Sequence, residues 1–188
     1  MKNLVLLLSL LATSAFADNP EFYEYNNKIT HENHYMTYRT TSEDSWHVEY
    51  GHKFDWLDVT YRYADLIITK EKRIKFTVPM FKYGSDFGDI SLKARMEYRS
   101  FDNKEDHWRY RFIAGYKYDF NDHVQAWMTL QPRWAFKDQQ TKFDSRDQIG
   151  IKFSYENISI SPFAERYTNG EISNHTINIF GTYLTIDM

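Results

Sequence analysis

Residues 90–101 read ISLKARMEYRSF and residues 108–120 read WRYRFIAGYKYDF. In the first run Ile90, Leu92, Ala94, Met96 and Tyr98 alternate with Ser91, Lys93, Arg95, Glu97 and Arg99. In the second, Trp108, Tyr110, Phe112, Ala114, Tyr116, Tyr118 and Phe120 alternate with Arg109, Arg111, Gly115, Lys117 and Asp119. Strand side chains point alternately to opposite faces, so each run has one apolar face and one charged face. Both runs are longer than the about 5–6 residues of an ordinary strand and match the about 9–11 of a tilted transmembrane strand. The pattern predicts an all-β, antiparallel, up-and-down transmembrane β-barrel.

The same period extends outward from these two runs, over 33–40, 45–54, 56–67, 72–83, 124–137, 146–156, 158–167 and 176–186. We expect about ten strands, within a range of about eight to twelve. Toward the C-terminus, connections at 101–107, 137–145 and 168–175 are long and polar, whereas 120–123 and 156–158 are tight. Outer-membrane barrels have short periplasmic turns and longer external loops. An even strand number then places both termini in the periplasm. Pro79, Pro132 and Pro162 fall inside strand runs, where each removes a ladder donor and predicts a bulge or kink.

The first residues read as an export signal. Lys2 is the charged start, Leu4 to Leu11 the apolar core, and Ala15-Phe16-Ala17 the small-x-small cleavage site. The organisation expected is a signal peptide over 1–17, then 18–32 as a periplasmic extension, a plug or a weak first strand, then the barrel over 33–188. With no cysteine in the chain, a lipid-anchored N-terminus and a disulfide framework are both excluded. Aromatic residues reach 18% although mean hydropathy is −0.67. A barrel with one lipid face and one polar lumen reconciles the two values. A secreted β-sandwich is the competing architecture, with shorter strands and more Gly and Pro in its turns. The net charge of −3 argues against a nucleic-acid partner.

By parity, Arg39, Lys53, Arg62, Arg73, Lys75, Lys93, Arg95, Arg99, Arg109, Arg111, Lys117, Arg133 and Lys152 point inward. The inward acids are fewer: Glu49, Asp58, Glu97, Asp119, Glu156 and Glu165. An excess of cations in a water-filled tube concentrates anions, and arginine grips carboxylates with two parallel hydrogen bonds. The expected lumenal anion and sugar path is Arg95, Arg99, Arg109, Arg111, Lys93, Lys117 and Arg133, with Trp127 as a stacking surface for sugar rings.

Three stretches bear a resemblance to a known family. Val78-Pro79-Met80, Ala94-Arg95-Met96-Glu97-Tyr98-Arg99 and Ser161-Pro162-Phe163-Ala164-Glu165 are similar to strands of the small monomeric porins for acidic oligosaccharides, the oligogalacturonate and sialic-acid porin (KdgM-type) family. The likeness is one of pattern over about residues 72–186. It implies a monomeric channel for small acidic saccharides, with Arg95 and Arg99 on the anion path. The family's barrel is larger, and the last residues, Leu184-Thr185-Ile186-Asp187-Met188, lack a terminal aromatic.

Two other readings stand beside the channel. A narrow barrel whose side chains fill the lumen would be structural, acting through its external loops. An outer-membrane lipid hydrolase is the third, on Arg166-Tyr167-Thr168-Asn169 near His175, although arginine cannot serve as general base. No catalytic residue, cofactor or metal site is expected. His31 and His34 are three apart but lack an obvious further ligand. The partners expected are outer-membrane lipids, lipopolysaccharide and small acidic saccharides, and no nucleic acid.

Overall fold

The computed structural model describes residues 22–42, 44–66, 69–137, 140–169 and 175–188. Among them are only strands and their connections. No helix there is long and apolar enough to cross a membrane, which has no bearing on a barrel that crosses with strands. The expected signal peptide, and residues 18–21 after it, lie outside the described residues.

The strands are β1 (Phe22–His31), β2 (His34–Thr41), β3 (Trp46–Lys53), β4 (Asp58–Leu66), β5 (Thr69–Ser85), β6 (Gly88–Phe101), β7 (His107–Asn121), β8 (Val124–Leu130), β9 (Pro132–Lys137), β10 (Gln140–Tyr155), β11 (Ile158–Asn169) and β12 (His175–Asp187). Each pairs antiparallel with its sequence neighbour, except that β8 and β9 share one place between β7 and β10. The sheet closes where β12 meets β1, giving a barrel of 11 strands plus the extra one.

The closing pair is parallel, with Phe22 opposite Ile179 and Thr30 opposite Asp187. An up-and-down circle with an odd number of places must have one such pair, because direction alternates everywhere else. This corrects the expectation that both termini lie at one end. β1 starts beside Ser42, whose N–H donates to the Tyr23 carbonyl at 3.0 Å, while the Met188 N–H reaches the Thr30 carbonyl at the opposite end. Of the roles considered for 18–32, residues 22–31 are wall: they form the first strand.

The three prolines interrupt the wall in three ways. Pro79 precedes a register shift between Pro79 and Phe81, the expected bulge. Pro132 follows the break at Gln131 that divides β8 from β9. Opposite Pro162 the β10–β11 ladder skips from Gly150–Phe163 to Phe153–Ile160, while β11–β12 pairing continues unbroken. In each case the missing N–H is the physical cause.

The polarity is inverted relative to an ordinary globular protein. The four largest fully buried side chains are Glu24, Glu71, Glu97 and Glu165. The outside carries exposed Tyr61, Trp108, Tyr110, Phe112, Phe136, Phe143, Ile151 and Ile160. Rings on that face touch one another: Tyr98–Trp108 centroids are 5.0 Å apart, Tyr110–Phe136 5.4 Å and Trp134–Phe143 5.4 Å.

Candidate functional site: a cation-lined lumen

Alternation puts every second residue of each strand inside, and closure brings these rows face to face around one cavity of about 900 Å³. It runs from Ser45, Trp46 and Leu66 at the long-loop end to Lys53, Asp58 and Lys117 near the tight turns. Its wall holds fourteen cationic side chains and four carboxylates. Apart from Lys75, Arg95 and Arg111, which meet at mid-height, the two cation types are segregated. Arg39, Arg62, Arg73, Arg99, Arg109, Arg133 and Arg146 lie in the half nearer the long loops. Lys28, Lys53, Lys93 and Lys117 lie nearer the tight turns.

A belt of ion pairs braces the arginine half. Glu97 sits between Arg111, at 3.0 Å, and Arg73, at 3.3 Å, with Arg95 at 3.9 Å. Glu71 accepts from Arg73 Nε at 2.5 Å and takes Arg99 bidentately, at 3.0 and 2.8 Å. Across the β12–β1 closure, Arg146 reaches Glu24 at 3.2 Å and also pairs with Glu165, while Arg39 closes on Glu24. Lys75 pairs with Glu49, and Arg133 with Asp144. Buried carboxylates persist because each has at least one guanidinium or ammonium within reach; unpaired, they would cost several kcal/mol apiece, about 3–5 on loss of a partner.

The belt leaves cations over. Arg62 and Arg109 line the cavity, make no ion pair within 4.0 Å among the described residues, and have buried Nε atoms without an acceptor there. Lys93 and Lys117 also line it without an ion pair among the described residues. These groups supply positive potential that no carboxylate among the described residues neutralises at short range.

All seven basic residues expected on the anion path, Arg95, Arg99, Arg109, Arg111, Lys93, Lys117 and Arg133, line this one cavity. They are not equivalent. Arg99, Arg111 and Arg133 are committed to Glu71, Glu97 and Asp144, and Arg95 Nε donates to Thr77 Oγ1 at 2.8 Å.

Trp127 is a correction. Its ring occupies the space opposite Gly150, 6.3 Å from Phe163 and 6.1 Å from Tyr183, and Nε1 donates to Ser161 Oγ at 2.7 Å. A Cβ on Gly150 would meet that indole at 2.6 Å. Trp127 therefore fills the wall, and the aromatic groups on the cavity itself include Tyr35, Tyr167 and Tyr183.

Among the acids expected to point inward, Glu156 is a correction: it lies in the exposed turn between β10 and β11, at φ 50. Sequence reading missed Lys28, Glu24, Glu71 and Arg146. Arg146 shares parity with Lys152 and was legible. Glu71 fell one residue before the expected start of its strand, and Glu24 and Lys28 lay in a segment that alternates poorly. Around the hydrolase-like stretch, Tyr167 lines the lumen beneath Arg133, 4.9 Å from ring centre to guanidinium, and Arg166 is exposed on the other face. No group of three or more His, Cys, Asp or Glu among the described residues is placed to hold a metal.

No protein-family model matches the chain, and no curated protein matches it either. The reading of the lumen rests on its own chemistry.

Proposed function

We propose that this chain is an outer-membrane channel of Gram-negative type, exported by its signal peptide, through which small acidic saccharides diffuse passively with anion preference. The observation that carries the reading is the cavity in which fourteen cationic side chains face four lining carboxylates, with Glu24, Glu97 and Asp144 paired just behind them, so that cations stay in excess. A solute carboxylate entering it exchanges hydration for guanidinium and ammonium donors. Because Arg62, Arg109, Lys93 and Lys117 are spread along the tube, the anion meets several weak sites, the condition for release as well as entry. The apolar outside supports membrane insertion, since the exposed aromatic surface would otherwise face water. Tight turns would face the periplasm and long loops the exterior. The working unit is a monomer, and transport needs no cofactor.

The test is single-channel conductance of the refolded chain in a planar bilayer, with the reversal potential taken under a salt gradient. Discrete openings with anion preference, weakened by neutralising Arg62 and Arg109, support the channel. A silent bilayer with a folded barrel selects the second reading, a structural barrel acting through its external loops, which the ion-pair belt across the lumen favours.

A further inference from the structure

The outer face at the tight-turn end carries a row of histidines that the lumen does not use. The register sets His31 opposite His34 across β1 and β2, and His34 opposite His52 across β2 and β3. His31 is held by backbone, its Nδ1 lying 3.2 Å from the Met188 carbonyl oxygen. His34 and His52 face one another instead, with Nδ1 atoms 3.2 Å apart and ring centroids 4.4 Å apart. The Tyr50 hydroxyl lies 2.6 Å from the same His34 Nδ1.

Hydrogen bonds satisfy this arrangement only in part. An imidazole Nδ1 carries either one proton or one lone pair, so His34 Nδ1 cannot serve both neighbours at once. A divalent cation can take lone pairs from all three groups. Zinc–imidazole bonds are about 2.0–2.1 Å, and two nitrogens 3.2 Å apart would then subtend about 100° at the metal. That angle suits a tetrahedral or a tetragonal ion, and the Tyr50 oxygen, 2.6 Å from His34 Nδ1, completes the set by drawing back to about the same separation as the two nitrogens. Phe54 packs edge-on against His52, with centroids 4.4 Å apart, and fixes its ring. His34 is exposed and His52 half-buried, leaving the remaining coordination positions open to water on the His34 side.

We propose that His34, His52 and Tyr50 form a binding site for one divalent transition-metal ion of the zinc or copper(II) class, which imidazole ligands suit. The ion ties β2 to β3 at the rim and stabilises the folded barrel by mass action. The site lies outside the lumen and is independent of what passes through it. Sequence spacing conceals it, because the two histidines meet only through the β2–β3 register.

The test titrates the untagged, folded chain in detergent with copper(II) and reads the electron paramagnetic resonance spectrum. Wild-type protein should show superhyperfine splitting from two equatorial nitrogens. Loss of a ligand weakens a site at least as much as loss of an outer-shell partner, so His34→Ala and His52→Ala should each lower copper affinity about tenfold or more. His123→Ala, whose ring reaches the Ser154 carbonyl at the same end, should leave affinity unchanged. Zinc should raise the temperature at which the folded, fast-migrating gel band is lost in wild type but not in the double variant. Oxygen-only coordination in wild type overturns the proposal, as does a folded double variant that binds copper as tightly as wild type. Should a variant fail to fold, the wild-type spectrum alone decides.

Discussion

Arg62 and Arg73 are opposite each other across β4 and β5, and they predict opposite phenotypes. Arg73 bridges Glu71 and Glu97, so Arg73→Ala takes one charged donor from each buried carboxylate while Arg99 and Arg111 stay in place, and it should cost about 1.5–3 kcal/mol in urea unfolding followed by tryptophan fluorescence. Arg62 holds no acid among the described residues, and its removal also relieves repulsion from Arg73. Arg62→Ala should therefore leave the unfolding midpoint nearly unchanged while shifting the reversal potential toward weaker anion preference. Steric fit sets a third residue-scale expectation. A Cβ at Gly51 would collide with the Tyr35 ring, and that ring is itself anchored, its hydroxyl 2.6 Å from Thr60 Oγ1 and 3.0 Å from Asp58. Gly51→Ala should destabilise by about 1–3 kcal/mol, the usual cost of overpacking, in the same unfolding assay.

At the scale of elements, the connection from β6 to β7 is pinned by one carboxylate. Asp106 accepts from the Tyr98 hydroxyl at 2.7 Å and from the Phe101 N–H at 3.1 Å. The Tyr98 hydrogen bond, then the Phe101 one, hold the Asp106 carboxyl below its ordinary value. A carboxyl depressed in the folded state contributes order above the ordinary carboxylate range and loses it as pH falls through the folded value. Exchange of the Phe101 amide should therefore accelerate as pH drops below about 4, relative to its intrinsic rate. Asp106→Asn should abolish that pH dependence. The strand interruptions were legible as prolines but not in kind. Whether Pro79 makes a bulge, Pro132 divides a strand or Pro162 drops a stretch of one ladder depends on which neighbour each proline faces.

For the whole molecule, the lumen's selectivity is a property of summed charge. Fields from cations such as Arg109, Lys93 and Lys117 are screened over about 10 Å at 0.1 M salt and about 3 Å at 1 M. Anion preference should fall steeply between those conditions in the bilayer assay, whereas the belt around Glu97, being buried, should persist. A sieve acting by width alone would show no such salt dependence. Closure has its own consequence for the molecule. The β12–β1 pair is parallel, and Arg146 on β10 crosses it to Glu24 on β1. That pair, with Arg39, ties the closing strand to the rest from inside.

Period-two alternation by itself determined the barrel, the two faces of each strand and most of the cations that line the lumen, Lys28 and Arg146 excepted. It could do so because parity is a local property, set by backbone geometry residue by residue. Only the tertiary structure decided what is non-local. Closure set the odd count and the parallel pair, which no single strand encodes. Register decided that Arg73, Arg99 and Arg111 are spent on Glu71 and Glu97 while Arg62 and Arg109 are left over. Packing across the lumen turned Trp127 from a binding surface into a wall filler, because the neighbouring Gly150 offers the space its ring needs. Cross-strand pairing alone brings His34 to His52, since contacts between strands follow from hydrogen-bond register and not from distance along the chain.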